Sequence, residues 1–275
     1  MAGMLYLVPT PIGNLGDISQ RCRETLENAD FIAAEDTRVS LKLLNHLGIK
    51  KSLVSYYEHN KAFKGEKIVE RILAGETCAL VSDAGSPAIS DPGEDLVKLC
   101  HEAGIVVCAI PGPCAVITAL RNSGQATGRF CFEGFLSTAK KSRREHLESL
   151  TNEQRTMIFY EAPHKLVATL QDMTAVFGAD RPISLCRELT KHHEEVVRTT
   201  LGGAIEKYTE NAPKGEFVLV VAGAPEQEKE VATADDAAAR VQQLMEEGLS
   251  RKDAIKQTAK ELNLPKNVVY DAALQ

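Results

Sequence analysis

The 275-residue sequence contains no tryptophan, and aromatic residues make up only 5% of it. This scarcity argues against a surface that stacks a series of single-stranded bases. No run of about 18 apolar residues is present that would suit a membrane-spanning helix. Pro9, Pro11 and Gly13 interrupt the first apolar stretch before a signal peptide is completed. We therefore expect a cytoplasmic protein that does not enter a membrane.

Several catalytic and cofactor signatures are also absent. The sequence has neither Gly-x-Gly-x-x-Gly nor the P-loop pattern, so an ordinary dinucleotide site and a P-loop both lack their phosphate-binding loops. It has no Gly-x-Ser-x-Gly nucleophile motif, and its seven histidines lack the His-Glu-x-x-His spacing of a helical zinc site. The seven cysteines contain no Cys-x-x-Cys and are predicted to be reduced and buried. We predict neither a metal site nor covalent catalysis.

Positive charge is local rather than general. The 32 Lys and Arg residues are outnumbered by 38 Asp and Glu residues, which gives a net charge of −6 and argues against a uniformly basic surface for duplex nucleic acid. Two basic zones stand out, one with Lys140, Lys141, Arg143 and Arg144, the other between residues 251 and 266. They suggest localised phosphate contacts, although solvated helix faces have the same pattern.

The order of apolar runs predicts an α/β fold. Residues 1–110 repeat an apolar run, a loop rich in Gly, Pro or acids, and an amphipathic segment, which is typical of a largely parallel sheet. The predicted strands are 4–8, 31–34, 52–55, 77–82 and 105–110, and the predicted helices are 19–29, 39–47, 66–74 and 93–103. We predict a parallel-sheet domain at 1–112 and a smaller mixed-sheet domain at 113–224.

The remainder of the chain is different in character. Residues 223–234 are polar and are interpreted as a linker. Residues 235–275 are predicted to form three short helices, the second opening with a capping box at Ser250 and Asp253. This module resembles a helix-turn-helix, but a helical cap that stabilises or dimerises the protein fits the pattern equally well.

Three of the predicted strands end in loops rich in Gly and Pro, at residues 9–16, 82–93 and 111–115. The carboxyl ends of parallel strands lie at one edge of the sheet, where ligands bind. Each loop alone fits a simple tight turn, but three at one edge favour a binding site.

Charged residues follow other strands, at 35–38, 160–165 and 187–191. Strand ends commonly carry site residues. Asp36 has a structural alternative as the N-cap of its helix, and Glu161 has one as an ion-pair partner of Arg187. These alternatives remain open at this point.

Taken together, the loops and charged clusters resemble a known family. The matching strings, in chain order, are Leu-Tyr-Leu-Val-Pro-Thr-Pro-Ile-Gly-Asn-Leu-Gly-Asp at 5–17, Ala-Glu-Asp-Thr-Arg at 34–38, Val-Ser-Asp-Ala-Gly-Ser-Pro at 81–87, Ser-Asp-Pro-Gly at 90–93, Pro-Gly-Pro at 111–113, Phe-Tyr-Glu-Ala-Pro-His at 159–164 and Arg-Glu-Leu-Thr-Lys at 187–191. They are similar to the ribosomal RNA small subunit methyltransferase I family, within the tetrapyrrole methylase superfamily. Two departures are Pro9, where a small residue is usual, and Cys114, where serine is common.

The resemblance implies a two-domain tetrapyrrole-methylase-like fold that binds S-adenosylmethionine between its domains. It also implies a homodimer that methylates the ribose 2′-hydroxyl of a cytidine in the decoding region of small-subunit (16S) rRNA, within the 30S subunit. The cofactor contacts carried over by motif are Pro11, Ile12, Asp83, Ser86, Cys114, Ala115 and Tyr160.

The acceptor hydroxyl must lose a proton during the transfer, so a nearby base would help. Asp36, Glu161 and His164 are the candidates. The predicted substrate contacts are Arg38, Lys140, Arg143 and Lys165. Two other functions remain open, a tetrapyrrole C-methyltransferase and a non-catalytic RNA-binding factor of ribosome assembly.

Overall fold

The computed structural model describes residues 3–58, 61–225 and 233–274. The chain divides into two compact units, residues 1–224 and 225–275. None of the described helices has the length and apolar character needed to cross a membrane.

The first sheet has five parallel strands in the order β3-β2-β4-β1-β5. Its strands are β1 (Met4–Leu7), β2 (Phe31–Ala34), β3 (Ser52–Ser55), β4 (Cys78–Val81) and β5 (Val106–Ala109). Between them run α1 (Gln20–Asn28), α2 (Thr37–Leu47), α3 (Lys61–Leu73) and α4 (Glu94–Glu102). The three Gly- and Pro-rich loops follow β1, β4 and β5, which are neighbours in the sheet.

Helices cover both faces of this sheet, which explains why its central strands are apolar throughout. Every residue of β2 is buried. Phe31 and Ala33 belong to one core cluster, and Ile32 and Ala34 to the other.

The second sheet is mixed and has the order β6-β7-β10-β8-β9. Its strands are β6 (Phe130–Phe135), β7 (Thr156–Glu161), β8 (Pro182–Arg187), β9 (Glu195–Thr200) and β10 (Phe217–Val221). β6 and β7 are parallel, and the other pairs are antiparallel. The accompanying helices are α5 (Ala115–Ser123), α6 (Lys140–Ser149), α7 (Leu166–Phe177) and α8 (Leu201–Glu210).

The C-terminal unit contains α9 (Ala234–Glu246), α10 (Arg251–Glu261) and α11 (Lys266–Ala272). Its core includes Val241, Ala254 and Val269. Ser250 is the N-cap of α10, as predicted, but the reciprocal capping box lies at Thr233 and Asp236, at the start of α9. Residues 226–232 of the predicted linker lie outside the described residues.

The predicted fold class is confirmed, with a parallel sheet, a mixed sheet and a helical terminal module. The division of residues 1–224 at position 112 stays a prediction, since both sheets lie in one compact unit. Two predicted helices begin too late, because α2 begins at Thr37 rather than at residue 39 and α3 begins at Lys61 rather than at residue 66. Gly65 made the sequence favour a later beginning for α3, since glycine is unfavourable within a helix. Here it permits close packing, because a Cβ at this position would lie 2.8 Å from Leu99 Cδ1.

Candidate active site

The first and second Gly- and Pro-rich loops are joined by two backbone hydrogen bonds. The Thr10 amide donates to the Gly85 carbonyl at 2.9 Å, and the Gly85 amide donates to the Thr10 carbonyl at 3.0 Å. The Thr10 hydroxyl also donates to the Ser82 carbonyl at 3.2 Å. Gly85 has a φ of 85°, a left-handed conformation that favours glycine. The joint between these loops therefore depends on backbone geometry more than on side chains.

The third loop is attached to both of the others. The Ser86 hydroxyl donates to the Pro113 carbonyl at 2.9 Å. Gly112 lies against the first loop so closely that a Cβ there would be 2.7 Å from Pro9 Cγ. The three loops predicted to share one edge of the sheet thus contact each other directly.

A cavity of about 530 Å³ opens beside these loops and is bounded on its other side by the second sheet. The predicted cofactor residues that line it are Ile12, Asp83, Ser86, Cys114, Ala115 and Tyr160. Pro11 is the exception and does not line the cavity. Ile12, Cys114, Ala115 and Tyr160 also pack against the apolar cluster under the second sheet, which holds these side chains in place.

Of the three candidate bases, Asp36 is engaged in capping. It is the N-cap of α2, accepts from the Arg38 amide, and forms an ion pair with the Arg38 guanidinium at 2.6 Å. Hydrogen bonds from Arg38 lower the pKa of Asp36 to about 2. Asp36 is not among the cavity-lining residues, so the capping interpretation describes its place in the structure.

Glu161 lines the cavity, but only 3% of its surface is exposed. Its carboxylate accepts from the Thr169 hydroxyl at 2.5 Å and from the Ala162 amide at 2.8 Å. The structural alternative of an ion pair with Arg187 is not what the structure has, because the Arg187 guanidinium pairs with Glu195 at 3.1 Å. His164, the third candidate, is exposed in the turn before α7 and is not among the lining residues.

Three acidic residues of the cavity, Glu35, Asp91 and Glu216, were not among the predicted site residues. Burial, followed by the charges of Asp91 and Asp83, raises the pKa of Glu35. Burial also raises the pKa of Asp91. Glu35 lies in the charged segment 35–38 and Asp91 in the loop 82–93, both of which the sequence singled out because they follow strands.

The cavity therefore has a one-sided electrostatic character. The acidic side chains at its wall are Glu35, Asp83, Asp91, Glu161 and Glu216. Among the described lining residues there is no Lys, Arg or His. Such a wall favours a cationic ligand over an anionic one.

The predicted substrate contacts have different surroundings. Lys140 is exposed and Lys165 half-buried, and within the described residues neither makes an ion pair. Arg38 is exposed beside Asp36. Arg143 does not suit the predicted role, because its side chain is only 10% exposed and bonds Asp172 at 2.6 Å and the Ser137 carbonyl at 3.2 Å. Its donors are committed to the protein interior.

In the C-terminal unit, Lys252, Lys256 and Lys260 recur every four residues along α10 and are all exposed. No ion pair involves them within the described part of that unit. They form a continuous basic face, whereas Ala254, Ile255, Thr258 and Ala259 form the buried face.

Within the described ranges, no three His, Cys, Asp or Glu side chains are placed to hold a metal ion. All seven cysteines are free; four are buried, while Cys108, Cys114 and Cys131 are partly exposed. The expectation that all are buried was therefore too general. The absence of metal chemistry stays a prediction.

Comparison with known proteins connects this arrangement to a family. The profile of the Tetrapyrrole (Corrin/Porphyrin) Methylases matches residues 4–205, and that of the RsmI C-terminal HTH domain matches residues 231–275. Among solved structures, a conserved hypothetical protein of Aeropyrum pernix K1 has a TM-score of 0.64 at 16% identity and covers 99% of this chain and 97% of its own. A Thermus thermophilus uroporphyrin-III C-methyltransferase complexed with S-adenosylhomocysteine has a TM-score of 0.56 at 14% identity and covers 79% of this chain and 97% of its own. These structures show the same fold.

Curated relatives are more similar in sequence. Ribosomal RNA small subunit methyltransferase I of Synechocystis sp. is 49% identical over 273 residues, which cover 99% of this chain and 98% of the relative. The Bacillus subtilis (strain 168) protein of the same name is 46% identical over 277 residues, covering 98% and 94% respectively. The chain therefore belongs to the ribosomal RNA small subunit methyltransferase I family, a branch of the tetrapyrrole methylases.

Proposed function

We propose that this protein transfers a methyl group from S-adenosylmethionine to the ribose 2′-hydroxyl of a cytidine in small-subunit rRNA. The observation that carries the proposal is the acidic cavity, free of Lys and Arg among its described lining residues, at the edge of the parallel sheet. Proposed with it are a cytoplasmic location, a homodimer, and a target in the decoding region of the 30S subunit.

The residues present fit S-adenosylmethionine. The cavity volume of about 530 Å³ lies within the range of small-molecule sites. Ile12, Cys114 and Ala115 offer apolar contacts, and Asp83 and Glu35 offer negative charge to a cation. The cofactor supplies an electrophilic methyl group on a positively charged sulfur. The polypeptide has to orient the acceptor, exclude water and receive a proton.

For the proton, Glu161 is the one of the three predicted bases that lines the cavity. Because Thr169 and Ala162 already donate to it, we add Glu35 to the candidates. Its raised pKa makes its carboxylate a better proton acceptor than an ordinary exposed glutamate.

The acidic wall also disfavours one alternative function. Tetrapyrrole precursors carry several carboxylates and would require basic partners, which the described lining residues do not offer. An RNA substrate accounts for the unpaired Lys140 and Lys165 and for the basic face of α10. A non-catalytic assembly factor would have no use for a cation-binding cavity.

Methylation with labelled S-adenosylmethionine tests the proposal. The acceptors are unmethylated 30S subunits, free 16S rRNA and a tetrapyrrole precursor. We expect label in the 30S particle, at the ribose of a single cytidine after digestion to nucleosides. Label in the tetrapyrrole, or none in any RNA, would contradict the proposal.

The acidic wall predicts a preference for the cationic cofactor over S-adenosylhomocysteine, its uncharged-sulfur product. Glu35→Gln should reduce this preference roughly three- to tenfold by removing one nearby charge. Since the pKa values of Glu35 and Asp91 are raised, both gain protons at a higher pH than ordinary carboxyls. The preference should therefore decline as the pH falls toward that range. Calorimetric titration with both ligands measures it.

Glu66→Gln is the matched control, because Glu66 is exposed on α3 and is not a cavity-lining residue. It should leave the preference unchanged. Equal preferences in wild type and Glu35→Gln at every pH would show that the acidic wall does not select the cofactor.

A further inference from the structure

A β-bulge in β6 changes the face to which its last residue points. β6 pairs in parallel with β7, with Phe132 opposite Ile158, but Gly134 rather than Glu133 is opposite Phe159. Gly134 has a φ of 66°, a left-handed conformation suited to glycine. One residue is thereby added to β6, and side chains beyond the bulge change faces.

The residue turned by this bulge is Phe135. In regular alternation, Phe132 and Phe135 would point to opposite faces of the sheet. With the bulge, Phe135 is opposite Tyr160 in the register, and both phenylalanine rings contact the Tyr160 ring edge-to-face, with centroids at 4.9 Å for Phe132 and 5.4 Å for Phe135. Phe135 thus lines the cavity.

Phe135 is an unusual wall residue because 57% of its surface remains exposed. Across the cavity wall, Ile89 of the second loop is also 54% exposed. Aromatic residues make up only 5% of this protein, yet a bulge directs one of its phenylalanines into the cavity and leaves the ring uncovered. We take this exposed ring to indicate a planar apolar partner.

We propose that the ring of Phe135 is the platform on which the pyrimidine base of the target nucleotide stacks. This inference rests on the proposed function, since methylating a ribose in folded RNA requires that its nucleotide be presented to the cavity. A base moved out of its stack needs a replacement surface, and an aromatic side chain provides one. The Tyr160 ring packs edge-to-face against the Phe135 ring, and three of the five acids at the cavity wall, Glu35, Asp83 and Asp91, lie on the loops of the first sheet.

The test compares Phe135→Ala, Phe135→Leu and Phe135→Tyr in steady-state methylation of unmethylated 30S subunits, together with calorimetric affinity for S-adenosylhomocysteine. We expect Phe135→Ala to lower kcat/KM roughly 10- to 100-fold, in line with the loss of one base–aromatic stack. Phe135→Tyr should restore most of the activity, and Phe135→Leu should be intermediate because it keeps apolar area without a ring. Affinity for S-adenosylhomocysteine should stay within twofold of wild type.

Phe130→Ala is the matched control, since Phe130 lies on the same strand, is partly exposed and does not line the cavity. It should leave kcat/KM unchanged. A parallel loss of S-adenosylhomocysteine affinity in Phe135→Ala would assign the ring to the cofactor and overturn the proposal, as would an unchanged kcat/KM. Failure of the proposed function is a separate result, because the wild-type enzyme would then leave the RNA unlabelled.

Discussion

Replacing Gly112 with valine is expected to lower kcat/KM roughly 100-fold, the scale of loss for a misplacement of about 1 Å in a site. The new Cβ would lie 2.7 Å from Pro9 Cγ and 2.9 Å from Pro9 Cβ, so the first and third loops must move apart. Both loops contribute cavity residues, Ile12 from one and Cys114 from the other. Affinity for S-adenosylhomocysteine should fall as well.

Overpacking of this kind lowers the free energy of unfolding by about 1–3 kcal/mol. We expect the loss of kcat/KM to exceed what this lower stability explains. Gly128→Val is the matched control, since a Cβ at Gly128 meets no atom within 4 Å. Measuring the affinity and the melting temperature of both variants separates a displaced loop from general unfolding. Wild-type affinity in Gly112→Val would show that the contact between the loops does not shape the cavity.

Arg143→Ala should destabilise the protein by about 3 kcal/mol, the lower end of the cost of breaking a buried ion pair, because the buried Asp172 carboxylate then keeps only the more exposed Arg144 as a partner. The Arg143 guanidinium donates to Asp172 Oδ2 at 2.6 and 2.8 Å. The Asp172 side chain is only 5% exposed. Urea unfolding measures the difference.

Arg144 provides the control, since it donates to the other oxygen of Asp172 at 2.9 Å but its side chain is 47% exposed. Arg144→Ala should cost no more than about 1 kcal/mol, as is typical of exposed ion pairs. Similar costs for the two variants would contradict the assignment of Arg143 to the interior.

The same pair determines the acid response. Burial acts to raise the pKa of Asp172, but hydrogen bonds from Arg144 and Arg143 outweigh it, so the pKa is lowered from its ordinary 3.8. Because the pKa is lower in the folded state, the ionised Asp172 stabilises the folded protein fully above pH 3.8. This stabilisation is lost as the pH falls through the folded-state pKa. The cost of Arg143→Ala should therefore shrink in strong acid.

The loops of the site were predictable because each is a local pattern, Gly and Pro directly after an apolar strand. Their meeting at one edge follows from parallel strands alone. The atomic joints, such as the Thr10 and Gly85 pair, could not be predicted, since they depend on β4 lying between β2 and β1. Nothing local to either segment reports that order.

Phe135 and Arg143 show two other limits. Strict alternation places Phe135 on the wrong face, because the bulge at Gly134 requires knowledge of the opposing strand. Arg143 belongs to a basic stretch typical of a solvated helix, and its partner Asp172 lies 29 residues further along the chain. For Asp36, sequence left a base and an N-cap equally open, and the hydrogen bonds of Arg38 show the cap.

The strand order of the second sheet has a consequence for synthesis on the ribosome. β10 pairs with both β7 and β8, yet it is the last of the five strands in the chain. While it is still inside the exit tunnel, β7 and β8 each leave an edge unpaired. During this interval the unpaired edges of β7 and β8 are open to pairing with other chains. The interval ends when β10 emerges, and β10 also brings Phe217 and Val218, the last residues of the cavity wall in chain order.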